Sequence, residues 1–72
     1  MNLRNTPPEL PERWRGGVMD CCRALGREGQ PIDSKTFRTW VRRMHVASRY
    51  NAVQGREVWS GKDINKMWYR LT

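Results

Sequence analysis

Residues 34–45, SKTFRTWVRRMH, constrain the fold of this chain more than any other stretch. Phe37, Trp40, Val41 and Met44 fall at i, i+3, i+4 and i+7, the spacing of a helical stripe that faces a core. At about 100° per residue, Lys35, Arg38 and Arg42 collect on a different side, with His45 at its edge. No acidic residue lies within the segment to neutralise that side. Asp33 and Ser34 are both able to cap the start. The segment predicts a helix with a buried aromatic stripe and a wet cationic face.

A chain of 72 residues makes one domain with a small core, so each large apolar side chain matters. Trp14, Trp40, Trp59 and Trp68 supply much of the volume, helped by Phe37, Tyr50 and Tyr69. Trp40, Trp59 and Trp68 are expected in the core rather than as stacking platforms. The formal charge is +7, and 11 of the 14 basic residues are arginines. The planar guanidinium fork suits phosphates and guanine edges. Such an excess attracts polyanions, and nucleic acid is the partner expected first.

Several function classes find no support in the sequence. No apolar run approaches the roughly 18–20 residues that cross a membrane, and residues 1–11 lack a signal-peptide core. A cytoplasmic location without membrane attachment is expected. Cys21 and Cys22 are adjacent and read as buried free thiols on a helix. With one histidine and no Cys-x-x-Cys pair, neither a metal site nor a cofactor is expected. No paired carboxylates, activated nucleophile or phosphate-cradling loop can be assembled, so the chain reads as non-enzymatic.

Along the chain, residues 1–11 hold three prolines and read as a flexible arm, ordered at most near Leu10 or Trp14, leaving 12–72 as the domain. A first helix lies between Glu12 and Arg27, with Trp14, Val18, Cys21, Cys22 and Leu25 on one face. Gly16 and Gly17 weaken its beginning by about 1 kcal/mol each. The helix is therefore able to start as late as Gly17, leaving 13–15 extended and free to pair with a strand. Gly26, Gly29 and Pro31 end it, and the short interval 29–33 turns the chain sharply into the second helix. A helix, a brief connection and a basic helix make a helix-turn-helix arrangement. Residues 49–59 lose the helical period and read as two short strands joined at Gln54–Gly55, where glycine suits a positive φ. Ser60 and Asp63 open a third helix, carrying Ile64, Met67, Trp68 and Leu71 on its stripe. The expected fold is α+β and mainly helical: a small winged helix-turn-helix with three helices and a two-stranded wing.

The candidate DNA-contacting residues follow from that plan. Arg38 and Arg42, one turn apart, are the leading pair, supported by Lys35 and Arg43. Thr36 and Thr39 are able to meet phosphates or a thymine methyl, and Thr36 equally reads as an ordinary first-turn residue. Arg56, just after the turn glycine, is placed at the wing tip, facing either a minor groove or solvent. Arg49 either supports the wing or meets a phosphate. His45 reads as a helix C-terminal residue.

Residues 18–71, through Thr36-Phe37-Arg38-Thr39-Trp40-Val41-Arg42 and Gly55-Arg56-Glu57, resemble the small winged-helix proteins of temperate phages, above all lambda-type excisionases. The same MerR-like winged helix heads phage small terminase subunits. The resemblance implies a helix in the major groove and a wing in the adjacent minor groove. It also implies cooperative binding at attachment-site repeats, DNA bending and promotion of prophage excision by the integrase. Thr36, Arg38 and Arg42 match helix positions that face DNA, and Arg56 matches a wing contact. Lys35 stands where the lambda-type pattern has an acidic residue, and Thr39 where it has an arginine, which alters the expected base preference. The basic tail that lambda-type proteins direct at integrase has no counterpart after Leu71. A small transcriptional regulator, a terminase-like DNA-binding module, and a basic phage protein that inhibits a host protein are the alternative expectations.

Overall fold

Two glycines decide where the first helix begins. In the computed structural model of the protein, which describes residues 3–72, Arg15–Gly16 form a strand, β1, and helix α1 spans Val18–Leu25. A Cβ at Gly16 would lie 2.3 Å from the Trp14 ring and 2.7 Å from the Asp20 Cβ, so the backbone here approaches too closely for a side chain. Asp20 accepts from the Gly17 N–H (3.1 Å) and satisfies one donor of the first turn. Trp14 therefore reaches the core from an extended segment, not from the helix face that its spacing suggested.

The connection to the second helix is longer than the expected 29–33 turn, because α1 ends at Leu25. Ile32 N–H donates back to Cys22 O (3.1 Å), and Gln30 N–H to Arg27 O (2.8 Å), folding the connection onto the end of α1. Helix α2 spans Ser34–Met44. Asp33 caps it by accepting from the backbone N–H groups of Lys35 (3.0 Å) and Thr36 (3.3 Å). His45 closes it in the left-handed region, at φ 55°.

Strands β2 (Arg49–Asn51) and β3 (Arg56–Ser60) pair antiparallel, with Arg49 opposite Val58 and Asn51 opposite Arg56. The turn between them takes residues 52–55 rather than Gln54–Gly55 alone. Asn51 explains the longer loop: its Oδ1 accepts from Val53 N–H (3.0 Å) and Gln54 N–H (3.1 Å), and its carbonyl from Gly55 N–H (2.7 Å). Gly55 has the expected positive φ, 66°. The sheet has three strands, not two, in the order β1-β3-β2, because Arg15 and Gly16 pair with Ser60 and Trp59. Backbone freed by the late helix start supplied the extra edge.

Helix α3 spans Gly61–Leu71 and is capped by the Ser60 hydroxyl, which accepts from Asp63 N–H (3.2 Å). Cys21, Cys22, Leu25, Ile32, Phe37, Trp40, Trp59, Ile64, Met67 and Trp68 form one buried cluster shared by all three helices and β3. Three helices and a three-stranded antiparallel sheet make the fold α+β. Among the described residues, no helix is long and apolar enough to cross a membrane.

The proline-bearing segment, expected to be a flexible arm, lies along the domain. Arg4 N–H donates to Leu25 O (2.9 Å), and the Trp68 indole N–H donates to Arg4 O (3.0 Å). Leu10 exchanges two hydrogen bonds with the Asn65 carboxamide, at 2.9 and 3.1 Å. The buried Trp68 indole and the half-buried Asn65 carboxamide on α3 find their partners in this backbone, which holds it down. Met1 and Asn2, the first residues of that arm, lie outside the described residues.

Candidate nucleic-acid interface

The edge-to-face contact of Phe37 with Trp59 fixes α2 against β3, with ring centroids 5.1 Å apart and planes at 84°. Because Phe37 points inward, the adjacent Arg38 emerges beside the sheet. Arg38, Arg56 and Glu57 line one groove of about 280 Å³ with Val18, Met19 and Trp59. Two arginines that are 18 positions apart in the sequence therefore share one surface.

The remaining α2 candidates follow the helical period. Lys35, Arg38, Thr39, Arg42 and Arg43 are exposed, and Phe37 and Trp40 are buried. At about 100° per residue, Lys35, Arg38 and Arg42 lie within one sector opposite the core stripe, while Arg43 turns to its margin. None of these four cations pairs with a carboxylate among the described residues. Thr36 is half-buried in the first turn, its backbone N–H given to the Asp33 cap. The Thr39 hydroxyl donates to Lys35 O (3.0 Å), so its proton is held by the helix backbone.

Arg56 departs from its expected place. It opens β3 instead of crowning the turn, and its guanidinium lies against Gly17 and Asp20 at the start of α1. Its Nε donates to Gln54 Oε1 (3.0 Å), and its Nη2 lies 3.5 Å from Asp20 Oδ2, with half of the side chain exposed. The tip itself is made by residues 52–55, with Val53 97% exposed. Sequence spacing carried no signal for Asp20, which arrives from α1. Arg49 is exposed and lines a separate depression of mixed charge with Arg15, Lys62, Glu12 and Asp63. Arg49 does not line the groove that holds Arg38 and Arg56.

Two residues that the sequence did not single out border the groove. Met19 is half-exposed on α1, and Asp20 ties Arg56 on one side to Arg23 (3.6 Å) on the other. Neither has a distinguishing pattern in the sequence.

No family model, curated protein or solved structure matches this chain. The surface must be judged on its own chemistry. Cys21 and Cys22 are buried free thiols. Burial pushes the Cys21 thiol up to about 12, helped by Cys22 and Asp20, and also raises Cys22, where Asp33 adds to the effect. Such thiols lack the thiolate character a nucleophile or metal ligand needs. Among the described residues, no cluster of three or more His, Cys, Asp or Glu stands ready for a metal ion. Unpaired guanidinium groups on a helix braced by an aromatic core are suited to holding phosphates or base edges.

Proposed function

We propose that the protein is a non-enzymatic, sequence-preferring DNA-binding protein of the winged helix-turn-helix type. In this reading α2 lies in the major groove and the β2–β3 hairpin reaches the adjacent minor groove. The carrying observation is the shared groove of Arg38 and Arg56, continued along α2 by the unpaired Lys35 and Arg42. A helix radius and a row of guanidinium groups fit a major groove, while a projecting hairpin fits beside it. The resemblance to lambda-type excisionases extends the proposal to an architectural role at attachment-site DNA, with bending, cooperative self-association and an integrase as partner.

The test is binding of labelled mixed-sequence duplex by fluorescence anisotropy, followed by selection of preferred sites. Affinity falls several-fold or more between about 50 and 200 mM salt, as phosphate contacts release counterions. Arg38→Ala with Arg42→Ala lowers affinity for the selected site by at least about tenfold, given that each base-directed arginine contributes about 1–3 kcal/mol. Both side chains are exposed, so the melting curve stays near that of the parent. Equal affinity in the folded double variant overturns the proposal. End-to-end energy transfer on the selected duplex tests bending, and an unbent duplex removes the architectural part.

A further inference from the structure

A second cationic surface lies at the far end of α1. Arg4, Arg23 and Arg27, with Glu28, Gly29 and Pro31, line a cavity of about 720 Å³, where three guanidinium groups face one carboxylate. The three come from different parts of the chain. Docking of the N-terminal segment delivers Arg4, the last turn of α1 carries Arg23, and the connection that follows carries Arg27. Arg4 is held by long hydrogen bonds from its Nη atoms to Ala24 O (3.5 Å) and Thr6 Oγ1 (3.3 Å). Its Nε is buried and has no acceptor. Arg27 gives its Nε only a distant carbonyl, Leu3 O, at 3.4 Å. Neither Arg4 nor Arg27 pairs with a carboxylate among the described residues. A buried donor without an acceptor is rare in a folded protein, and here it belongs to a guanidinium that lines the cavity.

We propose that this cavity is a phosphate-binding site that takes a backbone phosphate of DNA lying beyond the α2 contact. Guanidinium forks match phosphate oxygens two at a time, and Arg4 and Arg27 both hold donors that their present partners leave poorly used. Asp20 links the two surfaces: it pairs with Arg56 at the first groove and with Arg23 at the second. A strand leaving α2 past Met19 therefore meets Arg23 and then the cavity, along one band of arginines.

The DNA part rests on the proposed function, so the site is tested separately with inorganic pyrophosphate. Proton–nitrogen NMR of the full chain follows the Arg4 Nε–H and the Gly29 N–H during titration at constant ionic strength. Saturable shifts in both signals are expected, at least tenfold weaker in Arg23→Gln with Arg27→Gln. Glu28→Gln removes the one carboxylate that lines the cavity, leaves the Asp20–Arg23 pair in place, and binds pyrophosphate several-fold tighter, a gain that misfolding does not mimic. In the DNA arm, Arg23→Gln with Arg27→Gln lowers the slope of log affinity against log salt by about 1 for each phosphate that the variant no longer neutralises. A reduced slope assigns the phosphate to DNA. Saturation by pyrophosphate with an unchanged slope keeps the site but assigns it to a free phosphoanion, overturning the DNA assignment. No saturable shift together with an unchanged slope overturns the site altogether. Failure of the parent protein to bind any duplex refutes the DNA reading, while the pyrophosphate titration still decides the cavity.

Discussion

Asp20 offers the sharpest test of the interface, because one substitution moves stability and binding in opposite directions. Its carboxylate pairs with Arg56 at 3.5 Å and with Arg23 at 3.6 Å, and accepts from the Gly17 N–H at 3.1 Å. Both pairs are longer than a good charge-assisted hydrogen bond, and all three side chains are substantially exposed. Each pair therefore contributes about 0.2–1 kcal/mol. Asp20→Asn keeps an acceptor for Gly17 and loses both pairs, a cost of about 1 kcal/mol in all. For a domain of this size that lowers the melting temperature by about 4–8 °C. DNA binding moves the other way. Under the proposed function, Arg56 of the parent protein must leave Asp20 before it meets a phosphate; in Asp20→Asn it is already free. Sparing the cost of breaking that pair, at most about 1 kcal/mol, tightens binding by up to about fivefold at low salt, with the number of phosphate contacts unchanged. Anisotropy titrations over a salt series, paired with thermal melts, measure both effects. Adding Arg56→Gln to Asp20→Asn should cancel most of the gain, isolating the pair in a double-mutant cycle. A folded Asp20→Asn protein that binds no more tightly than the parent at any salt concentration refutes the claim that Arg56 works from this groove.

Two further perturbations probe the scaffold. Phe37→Ala removes a fully buried ring in edge contact with Trp59 and costs about 3–5 kcal/mol, a large share of the roughly 4–11 kcal/mol expected of 72 residues. Urea denaturation followed by tryptophan fluorescence checks this, and a loss below about 1 kcal/mol contradicts the core assignment. Cys21 supplies a pH dependence: its folded value of about 12 lies above the ordinary 9.0, so the native state keeps a proton that the unfolded chain releases. Its contribution is fully present below pH 9 and is lost as pH rises towards 12, at up to about 1.4 kcal/mol per unit. Denaturation midpoints at pH 8 and pH 10 measure it, and native-state alkylation at pH 8 should be slow; rapid modification of Cys21 in the folded protein contradicts its burial.

The amphipathic pattern of α2 was legible because it is local. Its stripe, its Asp33 cap and its exposed arginines all lie within 12 residues of one another. The same holds for α3, where Ser60 and the Ile64–Met67–Trp68–Leu71 stripe mark the helix, and for the positive φ at Gly55. The Asn51 carboxamide that lengthens the hairpin turn is local too, but an asparagine ahead of a turn glycine suits short and long loops alike.

Side-chain spacing by itself determined which residues face a core and which stay wet along each helix, since both follow from a fixed rotation per residue. Tertiary structure alone decided the rest. It chose β3 as the partner of the extended residues ahead of α1, bound the proline segment to Asn65 and Trp68, and turned Arg56 towards Asp20. Each of those outcomes joins groups far apart in the chain, and the energy that selects such a partner exists only after the core has brought the two surfaces together.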